Sequence, residues 1–158
     1  MADDENAGFS LPRGATGFYW PKGGPLPETD LRTFRSALYA AARAAGGRAG
    51  EVEEQAYPRT FHTASLVDGA GEHIILFHAY HPWIAFVQKR RDWYSEEFVP
   101  PPSWADAFTH AGLVVLNRKQ LTTPLSDIDT SALTQGEWSE IRFYGITMLG
   151  GVIFNAWD

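Results

Sequence analysis

Cysteine is absent from the 158 residues. That excludes a disulfide framework, a thiolate nucleophile and a thiolate zinc site. It also fits a reducing cytoplasm, the compartment expected here. No run of about 18 apolar residues occurs, so no transmembrane helix is expected. The opening MADDENAGFSLPRG lacks the basic segment and apolar stretch of a secretory signal; residues 1–13 read as a mobile acidic tail ahead of one domain, 14–158. Catalytic signatures are missing too. There is no G-x-S-x-G elbow, and no P-loop, G-x-G-x-x-G or H-E-x-x-H. Positive charge is scarce, with 13 Lys and Arg against 19 Asp and Glu and a formal charge of -6. That balance weighs against a nucleic-acid backbone as ligand, even though Arg32, Arg35, Arg43 and Tyr39 mark one helix side and Lys89–Arg91 precede Trp93 and Tyr94.

What is present suits one core: 44% of residues are hydrophobic and 14% aromatic, enough to fill a single domain of this length. In TDLRTFRSALYAAARAAGG the apolar residues Leu31, Phe34, Leu38, Ala41, Ala42 and Ala45 recur at helical spacing. Thr29 or Asp30 supplies a cap, and Gly46-Gly47 a stop. A long helix over 30–45 follows. RTFHTASLVD alternates and is rich in β-branched residues, DGAG is a hairpin turn, and HIILFHAY is the return strand. WIAFVQK is a third strand, SWADAFTHAG a short helix and LVVLN a fourth strand. GATGFYW holds a short strand at 17–20, GRAGEVEEQAYP is a polar connection, and EIRFYGI is a fifth strand or the approach to a helix. MLGGVIFNAWD has helical spacing, weakened by Gly150-Gly151. The expected fold is α+β: a single domain with an antiparallel sheet of about five strands and the long helix packed on one face.

Histidines are the obvious chemical candidates. His73 and His78 are five apart, so a regular strand points them to opposite faces. A hairpin at DGAG places His62 opposite 77 or 78, with His81 just past the strand end. A metal site needs three or four converging ligands, and no carboxylate falls beside these rings to complete a set. No metal and no cofactor are therefore expected, nor a catalytic residue; the rings are half-buried parts of the sheet. The alternative is a small-ligand pocket or active site lined by His62, His78 and His81.

Acidic groups are more suggestive as a set. Glu51, Glu53 and Glu54 form one cluster, Glu96 and Glu97 another beside Trp93, Tyr94 and Phe98, and Asp127 and Asp129 a third. Aromatics supply anchor area at an interface, and acids steer a basic partner. The candidate partner-binding residues are Glu51, Glu53, Glu54, Trp93, Tyr94, Glu96, Glu97, Asp127 and Asp129.

The C-terminal EIRFYGITMLGGVIFNAWD, through Phe154, Asn155, Trp157 and Asp158, resembles the ends of small bacterial immunity proteins encoded beside polymorphic toxins. The resemblance covers about the last fifth of the chain. It implies a non-enzymatic cytoplasmic inhibitor that binds and neutralises a cognate toxin, with no active-site residues. Many such toxin domains are basic nucleases, which suits an acidic partner. A third expectation, a domain of a larger assembly, would show as a homo-oligomer.

Overall fold

The computed structural model describes residues 10–17, 28–56, 58–91, 93–94 and 97–156. Helix α1 spans Leu31–Ala45. Asp30 caps it by accepting the Arg32 N–H at 2.9 Å, which satisfies one of the donors a helix start leaves open. The stop is steric. Gly46 takes the left-handed conformation at φ 67°, and a Cβ on Gly47 would lie 2.1 Å from the Val67 carbonyl oxygen. The chain can therefore turn tightly from helix to sheet only through these two glycines.

The five strands are β1 (Arg48–Ala49), β2 (Phe61–Asp68), β3 (Gly71–His78), β4 (Trp83–Val87) and β5 (Val114–Val115), and they lie in the order of the chain. β1–β2, β2–β3 and β3–β4 are antiparallel. The β2–β3 hairpin turns at Asp68–Gly71, where the Asp68 carboxylate accepts the Ala70 N–H at 2.8 Å. The expected five-strand α+β domain is what forms, with one pairing of the other sense. β5 runs parallel to β4, because the long connection between them crosses over instead of turning back. β1 arises inside the stretch read as a polar connection. Beyond it Glu53 and Thr63 exchange both backbone hydrogen bonds, at 2.7 and 2.9 Å. The strand expected at 17–20 falls almost wholly outside the described residues.

Both faces of the sheet are covered. On one, Phe34, Leu38 and Ala41 of α1 pack on Leu66, Ile75, Phe77, Ile84 and Phe86, with Trp104 and Phe108 alongside. Phe108 belongs to α2 (Asp106–His110). On the other, Phe61, Leu76, Trp83 and Val87 meet the C-terminal third. That third contains α3 (Arg118–Leu121), α4 (Gln135–Tyr144) and α5 (Leu149–Ile153). The long helix thus sits on one face as expected, and shorter helices close the other. EIRFYGI belongs to α4, not to a strand. Thr134 accepts the Glu137 N–H at 3.2 Å while the Glu137 carboxylate takes the Thr134 N–H at 3.3 Å, a reciprocal cap that starts the helix. In α5 the glycines are a packing requirement: a Cβ on Gly150 would lie 2.3 Å from the Phe98 ring.

The boundary at residue 13 also moves. Leu11 is fully buried, and its N–H donates to the Asp129 carbonyl at 2.9 Å. Residues 10–13 therefore belong to the domain. An apolar side chain among acidic and small residues gave no periodicity by which to assign it to a core.

Candidate interaction surface

The histidines do not share a pocket. His62 pairs with Phe77 across the hairpin and Phe61 with His78. His62 therefore lies on the α1 face and His78 on the opposite one. Only His78 and His81 come together, with ring centroids 5.7 Å apart, and Trp83 stacks on His81 at 4.7 Å. The rings of His62, His73, His78 and His81 are each tied into the fold. His62 Nδ1 accepts the Gln55 N–H at 2.8 Å. His78 is fully buried; its Nε2–H donates to the Ala15 carbonyl at 2.9 Å, and its Nδ1 accepts the N–H groups of Tyr80 and His81 at 3.1 and 3.2 Å. Burial depresses His78 to about 3 against an ordinary 6.5, with the Ala15 bond opposing, so the ring is neutral. His81 Nε2–H donates to the Arg13 carbonyl at 3.2 Å. His73 does have a carboxylate neighbour: Asp68 reaches back across the hairpin turn to its Nε2 at 2.9 Å, and also accepts the Trp104 Nε1–H at 3.2 Å. The register pairs Asp68 with Gly71 and Leu66 with His73, so alternation puts Asp68 and His73 on one face as diagonal neighbours. Among the described residues, no group of three or more His, Asp or Glu is placed to share a metal ion.

The acids behave differently from a single patch. Glu51, Glu53 and Glu54 are exposed along the continuation of β1. Glu54 pairs with Arg35 of α1 at 2.9 Å, and Glu53 with Arg59 at 3.1 Å and Arg90 at 3.8 Å. Glu97 lies 3.8 Å from Arg91. Arg35 of the long helix and Arg90 and Arg91 of the loop therefore face acids of this cluster, and the charges of Glu53, Glu54 and Glu97 are answered there. Such exposed pairs contribute about 0–1 kcal/mol each. Glu96 lies outside the described residues. Asp127 and Asp129 are exposed on another segment. Ser131 donates its N–H and hydroxyl to Asp129, at 3.0 and 2.7 Å, and these bonds hold the Asp129 carboxyl below its usual range.

Of the two aromatic anchors, Tyr94 is fully buried. Its hydroxyl donates to the Lys89 carbonyl at 2.8 Å and accepts the Arg91 N–H at 2.7 Å, which pins the loop and presents no surface to a partner. The adjacency of Trp93 and Tyr94 suggested a shared role, but the chain turns one inward as core. Trp93 is half-buried and meets Tyr144 of α4 edge-on at 5.4 Å. From Tyr144 the aromatic series continues to Phe143, 5.0 Å away. Phe143 is 80% exposed. On the same helix Arg142 lies 5.7 Å over the Trp138 ring. Beside them runs a groove of about 450 Å³ lined by Leu125, Trp138, Ile141, Arg142 and Ile146 among others.

This ridge and groove were missed from the sequence because EIRFYGI reads as either a fifth strand or the approach to a helix, so no face could be assigned to Phe143. The signal that finds it is T-Q-G-E, Thr134 to Glu137, a capping sequence ahead of a helix. Asp127 and Asp129 follow the groove-lining Ser126 in the chain. Arg142 is the cation among the residues that line that apolar depression. Trp157 and Asp158 of the C-terminal tail lie outside the described residues. Asn155 of that tail is buried, and its amide donates to the carbonyls of Thr16 and Val152. Among the described residues, no helix is long and apolar enough to cross a membrane. No protein-family model, curated protein or solved structure matches this chain.

Proposed function

We propose that this chain is a non-enzymatic binding protein that neutralises a basic bacterial toxin domain, and that α4 is its docking face. The observation that carries the docking face is Phe143, held 80% exposed at the end of an aromatic series on α4, the helix whose other side lines an apolar groove. An aromatic of that size left in water by a well-packed helix fits a contact residue, since buried aromatics dominate interface energetics. Asp127 and Asp129 near the groove and the overall charge of -6 favour a cationic partner. The inhibitory role itself rests on the resemblance of the C-terminal stretch to immunity proteins. The acids at 53, 54 and 97 are matched by arginines within the chain and contribute less to steering.

The test is titration of the catalytically disabled toxin domain encoded beside this gene. Phe143→Glu is expected to weaken binding at least about 30-fold, the equivalent of a 2 kcal/mol hot spot. Absence of any complex, together with no protection of cells from the active toxin, overturns the proposal.

A further inference from the structure

We infer that the Arg13–Gly17 turn is an acid-released latch on α4: the neutral ring of His78 holds the turn against the sheet, and the turn holds Glu137 in the first turn of α4. The contacts run in one chain. His78 Nε2–H donates to the Ala15 carbonyl at 2.9 Å, and His81 Nε2–H to the Arg13 carbonyl at 3.2 Å. From the other side, Thr16 donates its hydroxyl to the Glu137 carboxylate at 2.8 Å, and Asn155 donates to the Thr16 carbonyl at 3.1 Å. Thr16, His78, Glu137 and Asn155 are all buried. The turn is therefore fixed by side chains from the sheet, from α4 and from the C-terminal segment, and a shift at any one of them is felt by the rest.

His78 can hold this place in one protonation state only. Its Nδ1 already accepts two backbone N–H groups. A proton there would set three donors against one another in a site closed to water, while Nε2 is already a donor. The groups facing it are few. From the β3–β4 turn come His81 and the Tyr80 phenol, whose ring is 5.7 Å away. β4 contributes the Trp83 indole and the C-terminal segment the Phe154 ring, at 4.9 and 6.0 Å. Its cross-strand neighbour on β2 is Phe61. His62, on the opposite face of β2, adds a distant positive influence, as His81 does. Burial lowers His81 from its ordinary value, and its bond to Arg13 and the charge of Glu137 on α4 oppose that. Protonated His81 keeps its bond to Arg13, so the switch is His78.

The sign follows from linkage. The folded site refuses a proton that the released ring takes near its ordinary 6.5. The opening equilibrium is therefore independent of pH above that value and rises as pH falls below it, the closed state with its neutral ring remaining the major one. Because Glu137 caps the first turn of α4, opening frees the ridge that carries Phe143. That this governs partner release rests on α4 being the docking face; the latch itself does not.

Hydrogen exchange of the full chain alone, read by mass spectrometry between pH 7 and 4.5 and corrected for intrinsic rates, tests the latch without a partner. Peptides covering residues 11–17 and 134–144 are expected to lose protection about tenfold per pH unit below 6.5, one proton being taken up on opening. The β2–β3 amides should hold. His78→Gln keeps an N–H donor and cannot titrate, so its profile should be much shallower, with only the His81 contribution left. Unchanged protection in the wild type, loss in step with β2 and β3, or the same slope in His78→Gln would each overturn the latch. Should that variant not fold, imidazole nitrogen NMR of the wild type decides: a buried Nε2–H ring still neutral at pH 5 supports it, and a protonated or Nδ1–H ring refutes it.

Discussion

A single glycine shows how packing can reverse a propensity argument. In an exposed helix Gly→Ala stabilises by about 1 kcal/mol. At Gly150 the new methyl would lie 2.3 and 2.5 Å from two atoms of the Phe98 ring and 3.0 Å from the Leu121 carbonyl oxygen. Phe98 is itself buried, and a backbone carbonyl cannot swing aside. Gly150→Ala is thus expected to destabilise by about 1–2 kcal/mol despite its helix propensity, since overpacking a core costs about 1–3 kcal/mol. Urea denaturation reads it directly, and a rise in midpoint would contradict the close approach. Asn155 makes the same point for a polar residue. Its alanine variant leaves the Thr16 carbonyl buried without that donor, so a loss of about 1–3 kcal/mol is expected in the same assay.

Among the elements, α1 was legible and α4 was not. α1 carries its apolar residues at clean helical spacing, a cap at Asp30 and a double-glycine stop, so local and tertiary preferences agree. α4 mixes aromatics and β-branched residues in EIRFYGI, which suit a strand equally well; tertiary packing of Ile141 and the buried Glu137 decides for the helix. The reciprocal cap of Thr134 and Glu137 is then an energetic hinge. Thr134→Ala is expected to cost about 1 kcal/mol and to raise exchange in 135–138 before the sheet. The hairpin was legible for a different reason: DGAG fixes the turn, and the period of two fixes which residues face each other. That same period argument separates His62 from His78, one residue of register deciding opposite faces.

At the scale of the whole molecule, the sheet is covered on both faces, so the proposed docking face lies on the outside of a covering helix. Phe143 contributes little to the fold. Phe143→Glu should therefore leave the unfolding midpoint within about 0.5 kcal/mol of wild type while weakening the toxin complex. If the variant unfolds instead, Phe143 is a core residue and the docking face is wrong. Charge sets the second expectation. With a net charge of -6, association with a cationic partner should slow as salt rises, since steering is screened beyond about 8–10 Å. Stopped-flow rates between 20 and 500 mM salt measure this, and a salt-independent rate argues against an electrostatically chosen partner.

The residues alone determined that one α+β domain forms, which segments are helix α1 and the β2–β4 meander, and that no disulfide or thiolate site exists. These follow from composition and short-range periodicity, which local steric and burial preferences impose on neighbours in sequence. Tertiary structure alone decided that Leu11 and Tyr94 are core, that arginines answer the Glu53 and Glu54 carboxylates, that Gly150 admits a neighbouring ring, and that Phe143 faces water. Each depends on what lies across a gap between segments distant in the chain, and no local pattern carries that information.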